Sequence, residues 1–127
     1  MIAADTSTWI AYFHGGDEID TRLLKSALSD HCVIMLPVVL AELFSDSGLP
    51  DAVAALLLEL PPAPLADGFW QRAGVLRSKV LDRGFKARLA DALIAQHCLD
   101  GRLMLITRDR DFRNFLPVAN LDLLLEG

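Results

Sequence analysis

Residues 89–109 read LADALIAQHCLDGRLMLITRD, and the fold is decided in this stretch. Residues 89–99 are rich in Ala and Leu, good helix formers, and carry Asp91 in the first turn. Residues 103–107 (Leu-Met-Leu-Ile-Thr) form a clean strand pattern, and Asp109 follows two residues later. A helix that packs antiparallel to the strand it precedes returns its N-terminus to the edge where that strand ends. On that geometry Asp91 and Asp109 meet at one rim.

Outward from this unit, the same alternation fills the chain. Residues 2–4 form a short apolar run ending at Asp5, and residues 6–14 place Trp9, Ile10 and Phe13 at helical spacing before Gly15-Gly16. A second helix is predicted over 20–28, with Leu23, Leu24, Ala27 and Leu28 on one face. Residues 33–36 are a second strand, and Pro37 suits the first turn of a helix running to about Ser47-Gly48. Helices follow over 51–60 and 68–82, with a short strand at 63–66 between them, a helix at 109–115 and a final strand at 121–125. Strands alternating with helices predict one α/β domain over 1–127, with a mainly parallel sheet and helices on both faces.

Composition sets the class. A chain of 127 residues, 53% hydrophobic and 23% charged, supports one core without disulfides. No run reaches the roughly 18–20 apolar residues of a membrane span, and the N-terminus lacks a signal-peptide pattern. A cytoplasmic protein is expected, with Cys32 and Cys98 as buried thiols. The net charge of −5 argues against a polyanionic partner, but its distribution is uneven. Residues 72–113 hold ten of the twelve cations against five acids, a local +5, which reads as solvated helix faces or as a one-sided basic surface.

The chemistry lies in four acids. Ligands in open parallel sheets bind at the carboxyl ends of the strands. Asp5 follows the first strand, Glu42 lies in the second turn of the helix after the second strand, and Asp91 and Asp109 flank the 103–107 strand. Each has a plain alternative: Asp5 and Asp91 as helix caps, Glu42 as a helix residue, Asp109 with Asp111 as a turn. Glu42 fits its alternative least well, because Val38, Val39, Ala41 and Leu43 leave little polar face around it. Two carboxylates about 4 Å apart repel by about 4 kcal/mol at an effective dielectric near 20. A cluster of four must therefore take up protons or bind a hard cation, and Mg²⁺ or Mn²⁺ suits oxygen donors. That combination serves phosphodiester hydrolysis. Asp5 and Asp91 are expected as principal metal ligands, Glu42 as a ligand or water-orienting group, and Asp109 as completing the shell. Ser7 and Thr107 are candidates to hydrogen-bond those carboxylates or a substrate phosphate, or to act as ordinary caps.

Four motifs carry a family resemblance: Asp5-Thr6-Ser7, Leu40-Ala41-Glu42-Leu43, Asp91-Ala92-Leu93-Ile94-Ala95, and Thr107-Arg108-Asp109-Arg110-Asp111-Phe112. In order and spacing they resemble the PIN domain, and within it the VapC-type toxins of bacterial toxin–antitoxin pairs. The resemblance covers essentially the whole chain. It implies a parallel sheet of about five strands, Mg²⁺- or Mn²⁺-dependent RNA cleavage by Asp5, Glu42, Asp91 and Asp109, and a homodimer neutralised by an antitoxin protein. Asp111 reads mainly as a helix cap beside Phe112. His97 and Cys98 depart from the small apolar residues usual after the Asp91 motif, and His97 is not needed as a base. The helices at 37–44 and 51–60 offer a groove for an antitoxin segment, although most of their apolar side chains read as core. Two other readings remain: a PIN-type nuclease of RNA processing or turnover, and a non-catalytic RNA- or protein-binding module.

Overall fold

The computed structural model describes residues 1–126. Three parallel strands, β1 (Ile2–Ala4), β2 (Met104–Thr107) and β3 (Leu123–Leu125), form a sheet in that order. Ala4 lies beside Ile106, and Thr107 beside Leu125. Leu105 and Ile106 point to opposite faces, as neighbours in a strand must, and both are fully buried. Helices therefore cover the sheet on both sides, and an uninterrupted apolar β2 follows.

Six helices surround this sheet: α1 (Thr6–Phe13), α2 (Ile19–Ser29), α3 (Pro37–Phe44), α4 (Asp51–Glu59), α5 (Phe69–Asp82) and α6 (Leu89–Gly101). The first three begin for local reasons. The Asp5 side chain caps α1, Glu18 and Thr21 form a reciprocal capping box on α2, and Pro37 opens α3. Trp9 packs its ring on Phe13 at 5.7 Å and edge-on to Tyr12 at 6.2 Å, fixing the inner face of α1.

The expected sheet of about five strands is realised as three strands and two single bridges. Val33 pairs with Ile2, and Met35 pairs with Pro62, both in parallel. The backbone bonds there number two per junction: Ile2 N to Cys32 O and Ile34 N to Ile2 O at 2.9 Å, Met35 N to Pro61 O and Ala63 N to Met35 O at 2.8 Å. Proline bounds the second junction: lengthening it would need an N–H from Pro61 on one side or Pro37 on the other, and neither has one.

Two helix boundaries also move. The helix opening at Pro37 stops at Phe44, where the Ser45 hydroxyl donates back to Ala41 O at 2.8 Å. Residues 110–115 form a 3-10 helix, Arg110–Phe115, whose Phe112 and Phe115 insert into the core. Its tight turn places three charged residues at one strand end. Among the described residues no helix is long and apolar enough to cross a membrane.

Candidate active site

The site lies where β1 and β2 end. Asp5 N donates to Ile106 O at 3.0 Å, so Asp5 leaves β1 level with Thr107 at the end of β2. Its carboxylate is buried at 5% exposure. Three donors hold it: Ser7 Oγ at 2.6 Å, Thr107 Oγ1 at 2.7 Å and Thr8 N at 3.3 Å. Thr107 Oγ1 in turn accepts Asp109 N at 2.9 Å, and Ser7 Oγ accepts Arg108 N at 3.2 Å. The two hydroxyls thus stitch the end of β1 to the end of β2. Their hydrogen bonds go to a carboxylate, as one of their expected roles required.

Asp91 sits in the first turn of α6, and α6 returns it to the same rim. Oxygens of Asp91, Asp109 and Asp111 lie within 4.8 Å of one another. Asp5 belongs to the same electrostatic cluster, since its charge acts on Asp91 and that of Asp109 acts on it. Burial pushes the Asp91 carboxyl up to about 6, reinforced by Asp109, Asp5 and Asp111 and opposed by Arg88. Burial likewise raises Asp5, and the charge of Asp109 adds to this, outweighing the three hydrogen bonds that favour its anion. Arg88 and these donors offset the cost of burial at Asp91 and Asp5 only in part.

Glu42 stands apart from the three-acid group. It is exposed on α3 and accepts Thr6 Oγ1 at 2.8 Å, one residue along from Asp5. Asp111 is the residue that the sequence undervalued. Asp109, not Asp111, caps the 3-10 helix by accepting Asp111 N at 2.9 Å, which frees the Asp111 side chain to join the cluster. Its only signal was the Asp-x-Asp spacing, which a turn explains equally well. Arg88, not Asp91, occupies the cap position of α6.

His97 and the two cysteines lie elsewhere. His97 is buried with its ring 4.2 Å from that of Phe69, between α5 and α6, and burial lowers its pKa. Cys98 is buried and its thiol is pushed up to about 12, while Cys32 is half-buried; both are unpaired. Several cations of the basic stretch are committed locally. Arg72 pairs with Asp100 at 2.6 Å, Arg77 donates to Ala87 O at 2.8 Å, and Arg108 is locked to Asp20.

A partly buried cluster of acids at the carboxyl edge of a parallel sheet, beside an Asp5 held by two hydroxyls, defines an α/β protein whose acidic rim could hold a cation. The PIN domain family matches residues 2–115, and the chain belongs to it. The fold is similar to that of VapBC2 from Rickettsia felis bound to a DNA fragment from their promoter (TM-score 0.75, 21% identity, 98% of each chain covered). It is also similar to VapBC-1 from nontypeable Haemophilus influenzae (0.74, 18%, 98% of each chain) and to FitAcB from Neisseria gonorrhoeae (0.69, 18%, 98% of this chain and 96% of that one). At these identities the likeness is one of fold. No curated protein matches the chain in sequence.

Proposed function

We propose that this PIN domain is a Mg²⁺- or Mn²⁺-dependent endoribonuclease acting as the toxin of a VapBC-type toxin–antitoxin pair. One observation carries the reading: acids from positions 5, 91, 109 and 111 converge on one rim, where Asp5 and Asp91 are both raised by burial and by neighbouring acids. The donor set fits the cation. It consists of carboxylate oxygens alone, without His or Cys, the preference of a hard divalent ion. Asp91, Asp109 and Asp111 would hold it, with Asp5 and Glu42 as further ligands or as groups that orient water. A bound ion supplies hydroxide near neutral pH and charge stabilisation at the scissile phosphate.

The chain's own residues do the rest. Ser7 and Thr107 fix the Asp5 carboxylate in one orientation, with both oxygens engaged. Asp91, raised to about 6, is the acid whose proton a cation must displace at mildly acidic pH, whereas at pH 7 it is largely ionised.

The antitoxin is the expected protein partner. The similar solved structures are of VapBC and FitAcB, and a groove of about 320 Å³ in this chain is lined by Ile10, Phe13, Leu43, Leu49 and Val53. An amphipathic segment would fit there. The homodimer rests on the resemblance.

The test is cleavage of a mixed RNA pool containing tRNA and rRNA by purified, partner-free protein in Mn²⁺. Cleavage abolished by chelator, by Asp5→Asn and by Asp91→Asn is the expected result. A well-folded protein that leaves the pool intact would shift the assignment to a binding module.

A further inference from the structure

Four acids at one rim attract a cation but repel RNA, so some cation of the protein must meet the phosphate backbone. Arg108, next to Asp109 in sequence, is committed: Nε and Nη2 donate to buried Asp20 at 2.6 and 2.8 Å, and Nη2 lies 3.2 Å from Glu18. Lys86 is placed differently. Its ammonium lies 3.3 Å from Asp111 Oδ2, on the edge of the three-acid group, with the lysine side chain 56% exposed.

The segment that carries it is fastened at each residue. Phe85 N donates to Val80 O at 3.3 Å, Asn114 Nδ2 donates to Lys86 O at 2.9 Å, and Arg77 Nε donates to Ala87 O at 2.8 Å. Asn114 comes from the 3-10 helix that bears Asp111, so the lysine and the acids share one support. The ion pair itself is solvent-exposed, hence weak and easily exchanged for another anion.

We propose that Lys86 is a substrate-binding residue of this site, taking a backbone phosphate of single-stranded RNA beside the Asp91–Asp109–Asp111 cluster. The assignment rests on the nuclease reading. A lysine contact of this kind adds affinity irrespective of base sequence and steepens the salt dependence. Its stem is a flexible chain anchored at a fixed backbone, so the ammonium can follow a phosphate a few ångströms from Asp111.

The experiment compares the parent protein with Lys86→Gln, Lys86→Arg and, as a net-charge control, Lys25→Gln on α2. Binding of a fluorescein-labelled single-stranded RNA dodecamer is followed by anisotropy in Ca²⁺ across a salt series, and kcat and KM are measured separately in Mn²⁺. For Lys86→Gln we expect binding about fivefold weaker or worse at low salt and a salt slope shallower by about 0.7. We also expect a raised KM, recovery in Lys86→Arg, and parent values in Lys25→Gln. Mn²⁺ affinity, read by paramagnetic resonance, should hold or rise, because Asp111 loses a competing cation. Parent-like slope and KM in Lys86→Gln overturn the assignment alone. Failure of the parent to bind or cleave RNA overturns the nuclease reading, and the assignment with it.

Discussion

Asp5 accepts hydrogen bonds from Ser7, Thr107 and Thr8, and its carboxyl is nevertheless raised, because burial beside Asp109 costs the anion more than those donors return. Thr107 is the pivotal residue of this arrangement, since one hydroxyl donates to Asp5 and accepts from Asp109 N. Thr107→Val keeps the shape and deletes both contacts. Supporting hydrogen bonds of this kind typically contribute about 10- to 100-fold in metal affinity. A loss of that size is expected in a Mn²⁺ titration of Thr107→Val, with the circular dichroism spectrum unchanged. An unchanged Mn²⁺ affinity would show that Asp5 needs no such orientation.

At the scale of elements, two junctions decide whether the rim assembles. The first is the turn between α6 and β2. Arg102 adopts φ 52° and ψ 45°, the left-handed cap conformation that glycine favours, and Leu103 N closes the turn on Cys98 O at 2.9 Å. Arg102→Gly should therefore stabilise the protein by about 0.5–1 kcal/mol in urea unfolding, through relief of that strain. A destabilised variant would mean that the Arg102 side chain contributes more than its backbone costs. The second junction is the Asp20–Arg108 pair, which ties the start of α2 to the end of β2 while Thr8 donates to Asp20 at 3.0 Å. Breaking a fully buried pair costs about 3–5 kcal/mol. Arg108 keeps 29% exposure, so Arg108→Met should cost less, about 2 kcal/mol. Arg22→Met, at the exposed Asp17 pair, should leave the urea midpoint where it is. Equal midpoints for the two variants would contradict this ranking.

For the whole molecule, the site is a source of instability that a cation bound there would relieve. Asp91 ionises near 6 in the folded chain and at the ordinary carboxylate value, about 4, in the unfolded one. Its contribution to stability is therefore complete below about pH 4 and is lost as the pH rises through about 6. Asp5 is shifted in the same direction. With chelator present, this contribution should lower Tm from pH 5 to pH 7. Mn²⁺ should raise Tm at both values and more at pH 7, where its ligands are already deprotonated. Asp91→Asn should flatten the pH trend and remove most of the Mn²⁺ effect. A Tm indifferent to Mn²⁺ at pH 7 would contradict the cation site.

The sequence by itself determined much of the alternation of elements, through local causes: apolar periodicity in α1, the Ala- and Leu-rich run of α6, Pro37 at the start of α3, and the apolar run of β2. It also determined the candidate acids Asp5, Asp91 and Asp109, which sit at strand or helix ends where a parallel sheet gathers ligands. Only the tertiary structure decided the rest, and the reasons are long-range. Proline held the Met35–Pro62 contact to a single bridge, since a ladder depends on what its partner can donate. The choice of Asp109 as cap, with Asp111 left to the cluster, turned on which backbone N–H each carboxylate reached. Glu42 lay on Thr6 rather than among the three acids because the packing of α3 set its distance, which no helical period encodes. Which cations faced the rim was likewise settled by partners far along the chain, Asp20 for Arg108 and Asp111 for Lys86.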